Sequence, residues 1–176
     1  LAALPDSAMS SGSIIQVKQT VKTSFFSLST TDTVTDVTGV SVSITPSSNS
    51  NKIFVMVFGE RSTNNGNSFG MMFLSRVISG TTSDIVIGDS RGSSIRCSMS
   101  AMKMGGSTSN GTIASITTNA FGIQFLDSPN TTSECTYKLR LTNAHTGIIS
   151  VGGTFADDDS NRTSTPTIIT VMEVAA

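Results

Sequence analysis

The side chains able to do chemistry are few and scattered. His145 is the single histidine and sits in TNAHTG, between two expected strands. Nucleophilic catalysis of the serine type needs a histidine beside an activated hydroxyl and an orienting carboxylate. Serine is so abundant here that a serine near His145 would carry no information, and no G-x-S-x-G elbow occurs to present one. His145 is therefore expected in a loop or at an interface. Asp157, Asp158 and Asp159 form the one run of carboxylates. Such a run offers oxygen ligands of the kind Ca²⁺ takes, for instance on the symmetry axis of an oligomer. It lacks the alternate spacing that lets one loop wrap an ion. A solvated loop tip is the simpler reading, and no metal or other cofactor is expected.

The remaining candidates fail on spacing. Asp127 and Glu134 bracket a turn and read as ordinary loop residues rather than as paired glycosidase carboxylates. Gly105-Gly106 and Gly152-Gly153 lack the lysine that follows the glycines of a phosphate loop, so they read as turns or tight backbone contacts. Asn110, Asn130 and Asn161 each begin an N-x-Thr triplet, which chance supplies in a chain this rich in Asn and Thr. Cys97 and Cys135 are too few and too far apart for a disulfide framework and are expected as reduced, unpaired thiols. Without a nucleophile, a cofactor loop or ligand spacing, the chain is expected not to be an enzyme.

Bulk composition narrows the partners. Net charge is −1 and no window clusters Lys and Arg, so nothing matches a phosphate backbone. Apolar runs fall far short of the ~20 residues of a membrane helix, so no membrane insertion is expected. LAALPDSAMSS lacks the basic start and apolar centre of a secretion signal. The chain has no Trp and one Tyr, which leaves little for stacking on sugars, although Ser, Thr, Asn and Asp loops can hydrogen-bond them.

About three residues in ten are Ser or Thr, 13% are charged and 37% are apolar. Disordered chains are poor in apolar residues and high in net charge, so this chain folds. Thr, Val and Ile suit a pleated half-buried surface, while Ser and Gly supply turns. Residues 1–12 show no period and read as an N-terminal arm or linker; residues 13–176 read as a single β-sandwich domain. SIIQVKQTVKTSFFSLS at 13–29 is extended. VSVSIT at 40–45 alternates strictly, with Val40, Val42 and Ile44 on one face. KIFVMVFGE at 52–60 is apolar on both faces and is expected mid-sheet, covered on each side. Further strands are expected at 69–80, 84–89, 94–104, 116–129, 134–143, 147–155 and 167–176. Val42, Ile44, Val55, Phe73, Ile123, Phe125, Leu139 and Val171 are the expected core. Serial strands without helices imply an all-β fold, an antiparallel β-sandwich or jelly roll of about 8–10 strands. The mixed face of 69–78 and the methionines at 99–104 are expected to supply an apolar subunit interface.

Four stretches, in order, carry a resemblance. They are GSIIQVKQTVKT at 12–23, VTDVTGVSVSITPSSNSNKIFVMV at 34–57, QFLDSPNTTSECTYKLRL at 124–141 and STPTIITVMEVAA at 164–176. Together they resemble a β-sandwich module family of structural proteins in marine and freshwater tailed phages (cyanophages among them). The resemblance implies a virion structural protein: a tail or head fibre, a spike, or a capsid decoration (cement) protein. It implies a homotrimer that partners capsid or tail proteins, made in the host bacterial cytoplasm and placed on the virion surface. It implies no catalytic residues. A host-receptor (glycan) binding module of a tail fibre is the alternative, with specificity in the loops at 60–70, 80–93 and 104–118.

Overall fold

A computed structural model describes residues 9–65, 68–100, 117–144, 147–156 and 162–176. Among them the chain is all-β, with eleven strands in two sheets and no helix. The first sheet runs β1 (Ile14–Lys22), β11 (Thr167–Val174), β4 (Lys52–Thr63), β8 (Asn119–Asp127). Beyond the end of β11, the short β10 (Ile149–Val151) takes the same side of β4 and carries β2 (Phe26–Leu28). The second sheet runs β3 (Thr35–Ile44), β9 (Cys135–Asn143), β5 (Gly70–Ile78). The far side of β5 is shared by β6 (Thr81–Ile85) and β7 (Met99–Ser100).

The pairings nest. Antiparallel pair β5–β6 lies, in sequence, inside β4–β8, which lies inside β3–β9, which lies inside β1–β11. A long hairpin of four nested pairs rolled into two facing sheets is a jelly roll. The sandwich or jelly roll expected from serial alternation is therefore a jelly roll, with β2, β7 and β10 as short additions.

The core lies between the sheets. Val42 and Ile44 of β3, Val55 of β4, Ile123 of β8, Leu139 of β9 and Val171 of β11 are all buried in one cluster. Each such side chain contributes about 1.5–3 kcal/mol by leaving water. Phe73 is buried but belongs to the other face of β5, since Met72 and Leu74 are the ones that point into the cluster. Phe125 points inward yet is only partly buried, against the expectation. The reason is position: β8 pairs with β4 alone, so its inner face looks onto the open margin of the sandwich.

Several boundaries differ from the alternation. The stretch 13–29 splits into β1 and β2, with the break at residues 23–25. Strand β3 starts at Thr35, earlier than expected, and passes through a bulge between Asp36 and Ser41 where Gly39 takes a φ of 86°. Instead of a strand over 84–89, β6 ends at Ile85, because Val86 turns to a φ of 51°. Only Met99–Ser100 of the expected 94–104 strand pairs among the described residues. The expected 147–155 strand is cut to Ile149–Val151 by Gly152 and Gly153, whose φ values of 107° and 126° leave the ladder. At Gly153 a Cβ would come within 2.1 Å of the Thr163 carbonyl oxygen, so only glycine fits there.

Candidate functional site

Two buried carboxylates hold the roll together and are fully occupied in doing so. Asp127, at the end of β8, accepts from Arg76 Nη1 of β5 at 2.8 and 2.7 Å and from the Tyr137 hydroxyl of β9 at 2.7 Å. It thus ties the margin of the first sheet to the second. Burial and the neighbouring Asp127 push the Tyr137 hydroxyl far above its usual pKa, so the phenol stays protonated and donates. Burial opposes the charge on Arg76, but Asp127 outweighs it and raises the guanidinium above its usual value. Asp127 is therefore not the loop residue its sequence context implies. The missed signal was Arg76, a charge placed between Leu74 and Ile78 on an apolar face, which requires a buried partner.

Glu173 is the second case. It is fully buried on β11 and accepts from Gln16 Nε2 at 2.6 Å and from Asn51 Nδ2, Ser47 N and Ser47 Oγ at 2.7 Å each. Burial pushes its carboxyl up, yet the bonds from Asn51, Gln16 and Ser47 outweigh it and hold the carboxyl below the usual range. Every donor comes from the chain itself, so the group is a fastening between β1, β11 and the turn before β4.

The outward faces of the two sheets differ sharply. On the second sheet, Asp36 pairs with Lys138 at 2.8 Å and Arg140 at 3.3 Å, and Arg140 reaches Asp84 at 3.2 Å. Ser75 also donates to Asp84. That face is a ladder of cross-strand charges, with a groove of about 410 Å³ at the β3 bulge between Asp36 and Lys138. Met71 and Phe73 on this face of β5 are buried, so they offer none of the apolar subunit interface expected from the mixed face of 69–78.

On the first sheet two outward rows are apolar, and the row between them holds Gln19, Thr170, Met56 and Gln124. Register places Val17, Met172, Phe54 and Leu126 side by side in one row and Val21, Ile168, Phe58 and Gly122 in another. Val17, Val21, Phe58 and Leu126 are 52, 49, 48 and 45% exposed. Gly122 leaves room for the Phe58 ring, which lies within 2.9 Å of where a Cβ would stand. Strand β4 is mid-sheet, as its composition implies, but its second face is not covered as expected. Single exposed apolar residues are ordinary; two apolar rows reaching across one sheet mark an interaction surface.

A further groove, of about 420 Å³, is lined by Phe25, Thr154, Phe155, Arg162, Thr163 and Ser164. Its two rings meet edge to face at 6.2 Å. His145, Asp157, Asp158, Asp159, Asn110, Asn161 and Gly105-Gly106 lie outside the described residues. Asn130 is exposed in the turn after β8. Cys97 and Cys135 are free thiols, half-buried and buried. Among the described residues, no three His, Cys, Asp or Glu side chains come together as metal ligands. No helix among them is long and apolar enough to cross a membrane.

The fold and this surface define an all-β jelly roll with one charged and one apolar outer face. Neither a family model nor a curated relative matches the chain. Among solved structures it is similar to a chain of "Structure of infectious bursal disease virus Gx strain", at 11% identity and a TM-score of 0.39. That match covers 100% of this chain and 42% of the other, so the protein spans less than half the length of its structural neighbour.

Proposed function

We propose that this chain is a virion structural protein of a tailed bacteriophage. It acts as an oligomeric surface module of a tail or head fibre, a spike or a capsid decoration protein, by assembly and attachment and without catalytic turnover. The observation that carries the reading is the apolar outward face of the first sheet, where Val17, Phe58 and Leu126 stand half-exposed. A jelly roll presenting such a face has a surface made for covering by protein. The order and content of the four stretches that resemble phage virion modules supply the particle; the three-fold order of the oligomer rests on that resemblance alone. The buried carboxylates are saturated by the chain's own donors, which suits a fastening and leaves no poised acid or base among them.

Immunogold labelling of purified particles tests this. Antibody to the chain should decorate the particle surface. Unlabelled particles from cells that make the protein would refute the reading. A host-glycan-binding module is the second reading, favoured by the groove at Phe25 and Phe155 with Thr154 and Ser164 on its wall. Retention on a host glycan array, lost in Phe155→Ala, would favour it over assembly.

A further inference from the structure

We infer that the outward face of the first sheet is covered by the same face of a second copy of this chain, across a two-fold axis. The inference deepens the assembly reading and rests on it.

Strand β4 carries the argument. Its outward residues run Lys52, Phe54, Met56, Phe58, Glu60, a sequence whose apolar part reads alike from either end and whose ends carry opposite charges. Gly59 points inward, where a Cβ would press on Phe121, and this fixes Glu60 on the outward side. Between those two ends the outward rows of all four strands contain no charged residue. Neither Lys52 nor Glu60 joins an ion pair among the described residues.

Two copies of a sheet can face each other about an axis along the strands or across them. An axis along β4 sets Lys52 on the partner's Lys52, which like-charge repulsion disfavours, and an axis between β4 and β11 sets Lys52 against the partner's Val174 and gives neither Lys52 nor Glu60 an opposite charge. An axis across the strands, through Met56 and Thr170, lays β4 antiparallel on the partner's β4. Lys52 then meets the partner's Glu60, and Phe54 meets the partner's Phe58. Surfaces that match themselves in this way are what a two-fold interface requires.

The middle of the face is prepared for burial. The row that the axis follows is Gln19, Thr170, Met56 and Gln124. The Thr170 hydroxyl already accepts from Gln19 Nε2 at 2.9 Å, and the exposed Gln124 falls opposite the partner's Gln124, an amide that can both donate and accept. A polar group satisfied in advance costs little to cover. With strands ~4.8 Å apart and ~3.3 Å per residue along β4, the face measures roughly 20 by 26 Å, or about 500 Å² on each copy. The pair would bury about 1,000 Å² in total, the lower bound for a specific interface.

Sedimentation of the full chain, with far-UV circular dichroism to confirm the β fold, tests the pairing. The wild type should be a dimer, or a hexamer where three-fold contacts form as well, and Leu126→Glu should be the corresponding folded monomer or trimer. Lys52→Glu should weaken the dimer on the order of tenfold, because two symmetric rim pairs turn repulsive. Adding Glu60→Lys to it should restore the dimer, since the swap recreates both pairs. A monomeric wild type, or a double swap no tighter than Lys52→Glu alone, would overturn the inference. A trimer untouched by Leu126→Glu would overturn it too and leave particle assembly standing. Absence of the chain from particles would strike the assembly reading itself, whatever the dimer does.

Discussion

The Tyr137 hydroxyl donates a 2.7 Å hydrogen bond to Oδ2 of Asp127, and this one contact crosses from the second sheet to the margin of the first. Asp127 is acceptor-only, and Arg76 Nη1 donates to both of its oxygens. Removing the carboxylate leaves a partly buried guanidinium and a buried phenol without a partner. Asp127→Ala should therefore cost about 3 kcal/mol or more. Tyr137→Phe, which leaves the ion pair intact, should cost about 1.5–3 kcal/mol. Urea unfolding of both variants measures the difference; equal losses would mean that the ion pair contributes nothing.

Glu173 makes stability depend on acid. Its folded carboxyl sits below the ordinary value of 4.5. A depressed folded pKa gives stability that is present above the unfolded value and lost as the pH falls through the folded one. Denaturant midpoints should therefore drop as the pH is lowered from about 4.5. Glu173→Gln turns one acceptor oxygen into a donor facing other donors. It should cost about 1–3 kcal/mol at neutral pH and flatten the drop. An unchanged acid profile in Glu173→Gln would show that other carboxylates govern it.

Burial should grade the core. Leu139 is fully buried, and Leu139→Ala should cost about 2–5 kcal/mol. Phe125, at the open margin, should cost less on truncation than the roughly 3–5 kcal/mol of an enclosed phenylalanine. A Phe125→Ala loss as large as that would mean the margin is closed in solution by something packed on it.

The two thiols should differ in access. Cys135 is buried and Cys97 half-buried, and burial raises the pKa of both. Alkylation of the native protein should mark Cys97 slowly and spare Cys135, with both marked in denaturant. Mass measurement of native protein showing Cys135 modified first would contradict the fold around β9.

Alternation made the roll's strands legible where one face meets water and the other the core, as in Val40, Val42 and Ile44. It failed where backbone geometry intervened, at Val86 and at Gly152 and Gly153, because a positive φ leaves no trace in an apolar pattern. The apolar character of both faces of β4 was visible; what covers the second face was not. Burial inside one chain and burial between chains ask for the same side chains, so the face with Phe54 and Phe58 reads as covered like the other. Phe73 read as core and is buried, but together with Met71 on the face of β5 that turns away from the cluster between the sheets. Asp127 was missed because its partners, Arg76 and Tyr137, are distant in sequence and adjacent only once β5, β9 and β8 meet.

The nesting of the strand pairs also sets a timetable. The innermost pair, β5–β6, is joined by the two-residue turn of Ser79 and Gly80 and can close as soon as it emerges from the ribosome. Strand β1 is made first and paired last, since its partner is Thr167–Val174. Through most of synthesis its backbone edge stays open, together with Val17 and Val21, in the kind of species that aggregates. Closing so long a loop before its contacts form slows folding toward the millisecond-to-second range of non-local β topologies. The run of Lys18 and Lys22 along β1 places charge on that waiting edge, which is how natural strands deter pairing with the wrong neighbour.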